Sequence, residues 1–230
     1  IQTLLAAEKR LLLDISHELR SPLARMSVAI ELLDDAGERD AAKEQIRRET
    51  ERLNELIGGL IEVTRAEGEP AALQTQTVSM DDLLGEILRD CGYEARERSV
   101  EIVLDSTPGL EVKGDAELLR RAVENVLRNA LRYAPAHSNV TLACAVEQME
   151  VSLRIRDFGP GAPEQLLDRL FDPFFRVEND RNRRQGGTGL GLSIARRAVA
   201  VHGGAIEARN ANPGLCVEIR LALAGTGRED

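Results

Sequence analysis

Val151-Ser152-Leu153-Arg154-Ile155-Arg156-Asp157-Phe158-Gly159-Pro160-Gly161 is the stretch on which the fold turns. Its first six residues alternate apolar and polar, the two-residue period of a strand with one buried face. A carboxylate then ends the strand, and two glycines around a proline make a turn. The covering for the buried face lies on either side: Ala116–Tyr133 reads as a strong helix, and Leu190–His202 as a second one closed by Gly203-Gly204, a C-terminal cap. Met80–Arg98 reads as a further helix, and Val100–Leu104, Val140–Val146, Ala205–Arg209 and Leu215–Leu223 as strands. Together these predict a sheet with helices packed on one face, an α/β sandwich, over residues 77–225.

Upstream, Glu67-Gly68-Glu69-Pro70-Ala71-Ala72 has the composition of a linker, which is placed at 68–76. Residues 1–67 before it read as two long helices. From Leu4 to Asp34 apolar residues recur at helical spacing: Leu12, Ile15, Leu19, Leu23, Met26, Ile30 and Leu33. Asp34-Asp35-Ala36-Gly37-Glu38 is a polar turn, after which Ile46, Leu53, Ile57, Leu60 and Thr64 form a narrow coiled-coil-like stripe. A hairpin cannot bury both stripes alone, whereas two copies can, which predicts a dimeric four-helix bundle. A solvated bridging hairpin is the weaker alternative.

Composition narrows the function. The 230 residues carry 43% apolar and 30% charged residues, as a soluble globular protein does, with 3% aromatics and no tryptophan. A net charge of −9 lacks the positive field that supplies most nucleic-acid affinity, so no nucleic-acid partner is expected. Cys91, Cys144 and Cys216 show neither a disulfide framework nor metal-ligand spacing. No apolar run approaches the length of a membrane span, and no stretch of these residues reads as a signal peptide. The chain begins at Ile1 rather than methionine and is read as a piece of a longer protein, whose remainder is where a membrane anchor would lie.

Five short motifs carry chemistry. In Asp14-Ile15-Ser16-His17-Glu18-Leu19-Arg20-Ser21-Pro22-Leu23, Ile15 and Leu19 lie on the inward stripe, so His17 points outward. Glu18 can orient the proton on one ring nitrogen and leave the other free as a nucleophile. An isolated His-Glu pair would be read as a surface histidine with a chance neighbour. Asn125 and Asn129 are four apart on the Ala116–Tyr133 helix, so both amides share a face and their oxygens can complete a Mg²⁺ shell. A polar helix face with capping roles is the plain alternative. Asp157 at the strand end can accept a hydrogen bond from an exocyclic amine while the glycine backbone passes close to a ring, although turn chemistry alone explains the motif.

Gly186-Gly187-Thr188-Gly189-Leu190-Gly191-Leu192 opens the last helix, where bare N–H groups and the helix dipole favour phosphate. It lacks the Lys-Ser/Thr of a P-loop and the preceding strand of a dinucleotide fold. Between the last two motifs lie Phe171-Asp172-Pro173-Phe174-Phe175-Arg176 and a polar, basic run to Gln185 that reads as a mobile lid.

In this order the five motifs resemble those of two-component sensor histidine kinases over nearly the whole chain, most like the envelope-stress (Cpx-type) members. Ile15–Leu23 resembles that family's H box, Asn125–Asn129 its N box, Asp157–Gly161 its G1 box, Phe171–Phe175 its F box and Gly187–Gly191 its G2 box. The resemblance implies a dimerisation and histidine-phosphotransfer hairpin followed by a GHKL/Bergerat-type ATP-binding sandwich, with ATP and Mg²⁺ as cofactors. It also implies a homodimer, a response-regulator receiver domain as partner, and a place on the cytoplasmic side of the bacterial inner membrane.

By the same resemblance His17 is the phosphoacceptor and Glu18 its acid/base partner, while Asn129 with Asn125 holds Mg²⁺. Asp157 recognises the adenine amine and Tyr133 lies against the ring. Gly159, Gly161, Gly187, Thr188, Gly189, Leu190 and Gly191 line the nucleotide, and Arg132, Arg176 and Arg181 are candidates for phosphate contacts. Ser21 stands where such kinases place a Thr or Asn that positions water for regulator dephosphorylation; a serine departs from that pattern and leaves phosphatase activity open. Two rival readings are a GHKL-type ATPase acting as an ATP-gated dimer clamp and a pseudokinase that only docks partners.

Overall fold

The computed structural model describes residues 15, 19–34, 37–66, 74–177 and 188–225. The first helix, α1 (19–31), runs into a 3₁₀ turn at Leu32–Asp34 and is followed by α2 (Arg39–Ala66). The two helices are pinned by a fork of charge: Arg25 Nε and Nη2 each donate to an oxygen of Glu49 at 2.7 Å. Ala29 and Ala42 are buried, yet Leu23, Val28, Ile30, Leu32 and Ile57 are between 40% and 58% exposed. An open groove of about 580 Å³ runs between the helices, bordered by Ala24, Val28, Leu32 and Ala41. The apolar stripes thus remain uncovered on a single chain.

After residues 74–75 the pattern changes to strand and helix. A short β1 (Gln76–Ser79), which begins within the segment read as linker, leads into α3 (Met80–Glu97). Ser79 caps that helix, its hydroxyl accepting from the Asp82 amide, and Asp81 and Asp82 sit favourably in the first turn. Then come β2 (Glu101–Ser106), β3 (Glu111–Gly114), α4 (Ala116–Tyr133), β4 (Asn139–Glu147) and β5 (Glu150–Arg156). The order closes with α5 (Gly191–Val201), β6 (Ala205–Asn210) and β7 (Leu215–Ala222).

Five strands form one sheet in the order β2-β4-β5-β7-β6, parallel between β2 and β4 and antiparallel elsewhere. Register places the apolar positions in rows: Leu142 pairs with Ile155, which pairs with Val217, which pairs with Ala208. A row from Cys144 through Leu153 and Ile219 to Ile206 runs alongside. These rows share one core with Leu84 and Ile87 of α3, Leu119, Val126 and Leu127 of α4, and Ala195 and Val199 of α5. That is the expected sandwich, with helices covering one face.

β1 and β3 pair with each other and were not expected from the sequence. At four residues each, they are too short for an alternation to declare itself.

A smaller cluster joins the hairpin to the sandwich. Leu56 of α2 is buried with Leu190 and Ile194 at the start of α5, and Leu19 and Phe174 pack against them.

Candidate functional site

Asp157 follows the last residue of β5 and is 2% exposed. Its Oδ1 accepts from the backbone amides of Gly159 (2.7 Å) and Leu215 (3.2 Å), an Asx-type turn closed by the neighbouring strand. Among the described residues these contacts fall on Oδ1, leaving Oδ2 for another donor. Burial pushes the carboxyl above its ordinary pKa, partly offset by the Gly159 and Leu215 amides. A buried carboxylate with one oxygen held and the other available is a directional acceptor.

The backbone closes tightly around it. A side chain on Gly214 would strike the Asp157 carbonyl, and one on Gly159 would strike the carbonyl of Tyr133. Gly159 therefore lies against the C-terminal end of α4. Gly161 adopts φ +69°, and a Cβ there would meet Asn210 Oδ1 at 2.6 Å. Asn210 clasps the turn from β6, accepting from the Ala162 amide (2.9 Å) and donating to the Ala162 carbonyl (2.7 Å).

The glycine turn before α5 is tied to the motif preceding the lid. Gly189 has φ +73° and its carbonyl accepts from the Phe174 amide at 2.9 Å. A Cβ on Gly189 would lie 2.9 Å from Phe174 Cα, so this position suits only glycine. Leu190 caps α5 without a side-chain hydrogen bond, so the first amides of the helix, from Gly191 on, are not satisfied by a cap. Thr188 and Gly189 are half-buried beside it.

Opposite that turn stands α4. Asn125 Nδ2 donates to the Arg121 carbonyl (2.9 Å), which turns Oδ1 outward, and a Cβ on Gly191 would lie 3.0 Å from that oxygen. Asn129, Arg132 and Tyr133 are half-buried further along the same helix. The segment of α4 from Asn125, which faces the glycine turn, to Tyr133, which faces the Asp157 turn, spans roughly 12 Å at 1.5 Å per residue. Arg176 is half-buried after Phe175, whose ring meets the Arg169 guanidinium at 4.3 Å. Among the described residues no group of three His, Cys, Asp or Glu side chains could hold a metal ion.

On the hairpin, Ser21 is exposed on α1 and its hydroxyl accepts from Arg25 Nη1 at 2.5 Å. His17, Glu18, Arg181 and Gly187 lie outside the described residues, so the structure brings together Asn125, Tyr133, Asp157, Gly159, Gly189, Leu190 and Gly191 and leaves those four unplaced.

Several contributors were missed in the sequence. Gly214 and Leu215 complete the Asp157 acceptor, and Asn212-Pro213-Gly214 is a turn signature that marked a close approach. His202, read as a bland helix end, has Nδ1 donating to the Ala198 carbonyl (2.6 Å) and Nε2 accepting from the Asp115 amide (2.9 Å). Asp115 caps α4 through the Glu117 and Leu118 amides, so His202 ties the end of α5 to the start of α4. Its partner is a backbone amide, which carries no sequence signal.

Comparison with known proteins agrees with this geometry. Residues 7–69 match the His Kinase A (phospho-acceptor) domain, and residues 114–225 match the histidine kinase-, DNA gyrase B- and HSP90-like ATPase domain. Sensor histidine kinase CpxA of Escherichia coli K12 is 33% identical over 211 residues, covering 91% of this chain and 46% of CpxA. The chain thus spans about half the length of the curated relatives it matches.

Among solved structures, the mycobacterial sensor histidine kinase MprB is 33% identical with a TM-score of 0.55, over 64% of this chain and 97% of that one. Histidine kinase ThkA, in complex with the response regulator protein TrrA, shares the fold at a TM-score of 0.79 and 21% identity, over 96% of this chain and 63% of that one. With both domain models matched in the order that its motifs follow, the chain belongs to the sensor histidine kinases.

Proposed function

We propose that this chain binds ATP along α4, transfers the γ-phosphoryl group to His17, and passes it to an aspartate of a response-regulator receiver domain. The observation that carries the reading is the cluster of Leu19, Leu56, Leu190, Ile194 and Phe174. It packs Leu19, two positions after His17 in sequence, against the residues that open α5, which supports a reaction shared between the hairpin and the sandwich.

In this reading the adenine amine donates to Asp157 Oδ2, with Tyr133 against the ring and the glycines of the Asp157 turn giving the base close access. The phosphates lie at the glycine turn, where the uncapped amides of α5 face them. Arg132, Arg176 and Arg181 are cations suited to the phosphate charge. Asn125 and Asn129 offer amide oxygens on one face of α4, the hard donors that Mg²⁺ takes in company with phosphate and water. The outward Asn125 Oδ1 beside Gly191 fits that role. When bound, the ion neutralises charge on the phosphates.

A ring nitrogen of His17 attacks the γ-phosphorus in line, the bond to the bridging oxygen breaks, and ADP leaves with the bonding pair. Glu18 holds the proton of the other ring nitrogen. The same protein removes phosphate from its regulator, with Ser21 orienting the water. ThkA, whose fold this chain shares, was crystallised with a response regulator, and a receiver docking on the hairpin beside His17 fits that precedent.

The exposed stripes of α1 and α2 call for a second copy, making a homodimeric four-helix bundle. No helix among the described residues is long and apolar enough to cross a membrane. We place the chain on the cytoplasmic side of the inner membrane, in keeping with its CpxA-like relatives.

The test is incubation with γ-labelled ATP and Mg²⁺ beside His17→Gln and Asn129→Ala. Acid-labile, base-stable label that disappears in both variants is expected. Full labelling of His17→Gln would refute the assignment, ATP hydrolysis without protein label would favour the dimer-clamp ATPase, and bound nucleotide with neither signal would favour the pseudokinase.

A further inference from the structure

Ser21 comes four positions after His17 in the sequence, and the structure shows what holds its hydroxyl. Arg25 Nη1 donates to Ser21 Oγ at 2.5 Å, while Nε and Nη2 of the same guanidinium donate to Glu49 Oε1 and Oε2. Glu49 is 6% exposed and is held in turn by Gln45 Nε2, which donates to Oε1 at 2.6 Å. The planar fork fixes the guanidinium against α2, so Arg25 cannot release Ser21 by simple rotation without breaking a bidentate pair. The hydroxyl on α1 is therefore aimed from the other helix of the hairpin.

That aim has a chemical consequence. A guanidinium only donates, so it occupies one lone pair of Ser21 Oγ and obliges the serine hydrogen to point elsewhere. The second lone pair stays open to a water hydrogen. A water that donates there turns its own lone pair away from the serine, as attack on a nearby phosphorus requires.

We propose that Arg25, clamped by Glu49, is a positioning residue for dephosphorylation of the receiver domain, setting Ser21 as the acceptor that orients the attacking water. This rests on the reading that the chain dephosphorylates its regulator. In that step the water oxygen bonds to phosphorus as the aspartyl oxygen–phosphorus bond breaks, and the aspartate carboxylate leaves with the bonding pair. One water hydrogen stays on the inorganic phosphate and the other leaves to solvent as a proton. In this role Arg25 acts through Ser21. Phosphorylation of His17 from ATP involves no such water, so Arg25 separates the two activities.

The probe is the receiver domain that phosphorylated wild-type protein labels fastest in a panel of purified receivers, used in its phosphorylated form. Phosphate release is measured for wild type, Ser21→Ala, Arg25→Met, Arg25→Lys, the pair Ser21→Ala with Arg25→Met and the pair Arg25→Met with Glu49→Leu, alongside His17 labelling and thermal melting. Ser21→Ala and Arg25→Met are each expected to slow release roughly 10- to 100-fold, the scale of a misplaced reacting group. Their combination should be no slower than Ser21→Ala alone.

Arg25→Lys should restore little, because an ammonium cannot serve Ser21 and both Glu49 oxygens together. Labelling of His17 in the Arg25 variants should stay near wild type. The Met-Leu pair leaves no buried charge behind; it should melt like wild type and still release phosphate slowly.

Release at the wild-type rate in Arg25→Met, or additive losses with Ser21→Ala, would overturn the proposal. So would a fall in release that merely parallels melting and His17 labelling. Wild-type protein that labels His17 and the receiver but never dephosphorylates it would remove the phosphatase reading, and the proposal with it.

Discussion

Glu49 in the hairpin and Asp157 in the sandwich are both nearly buried carboxylates, 6% and 2% exposed, and their surroundings push them in opposite directions. Hydrogen bonds from Arg25 hold Glu49 below its ordinary pKa and outweigh its burial. Burial dominates at Asp157, and its two backbone amides only partly offset it. Glu218, in the middle of the sheet, follows the hairpin pattern: burial pushes it up, but Arg154 and Ser152 outweigh that and hold it low. A buried carboxylate whose oxygens are matched by side-chain donors and a cation is scaffold. One whose pKa burial holds high, with an oxygen to spare, is poised for a ligand that brings its own donor.

The comparison is most sharply broken at Asp157→Asn. The amide oxygen can still accept from Gly159 and Leu215, but its NH₂ would face the adenine amine donor to donor. ATP affinity should fall about 10- to 100-fold in a calorimetric titration, as expected for losing a hydrogen bond to a charged group. Melting at neutral pH should stay level or rise, since a poorly compensated buried charge is gone. Weaker folding together with unchanged affinity would make Asp157 scaffold after all.

Glu49→Gln should do the reverse. It should cost the hairpin about 1–3 kcal/mol in denaturant unfolding, because Arg25 and Gln45 lose a charged acceptor. ATP affinity should be untouched.

Gly189→Ala falls next in size. Its positive φ alone costs about 1 kcal/mol or more, and the added methyl presses on the Phe174 backbone. The glycine turn should shift, nucleotide affinity should weaken, and melting should fall by a few degrees at about 1 kcal/mol.

The gentlest test is pH. Glu49, held low, gives stability that is complete above its ordinary pKa and is lost as pH falls through the depressed value. Asp157, held high, works oppositely: its penalty at neutral pH lifts as pH falls through the raised value. Hydrogen exchange followed from neutral to acid pH should therefore show α1 and α2 loosening while amides of β5 and β7 gain protection from this group. Each trend should vanish in its own variant, Glu49→Gln or Asp157→Asn.

Much of this was legible in the sequence, for reasons that differ by element. Ala116–Tyr133 was read to the ends the structure gives it, where Asp115 caps its start and Ala134 its end. The alternation of 151–156 likewise declared β5 (Glu150–Arg156). The glycines at 159, 189 and 191 were read as lining a nucleotide; in the structure they lie against the Tyr133 carbonyl, the Phe174 backbone and the Asn125 amide.

What the sequence hid was partnership. Arg25 and Glu49 are 24 positions apart on different helices, a pairing that neither helix's own pattern shows. His202 meets a backbone amide 87 residues away, which no spacing reveals. β1 and β3 exist because they pair with each other and because Val112 bridges to Leu223, not because of their own pattern.

The most direct measurement is to locate the phosphoryl group itself. The chain incubated with ATP and Mg²⁺ would be digested at alkaline pH and its peptides sequenced by mass spectrometry with phosphohistidine intact. A single phosphorylated residue at His17, absent when ATP is omitted, is predicted. Phosphate on another residue, or ADP formed with no phosphopeptide at all, would contradict it.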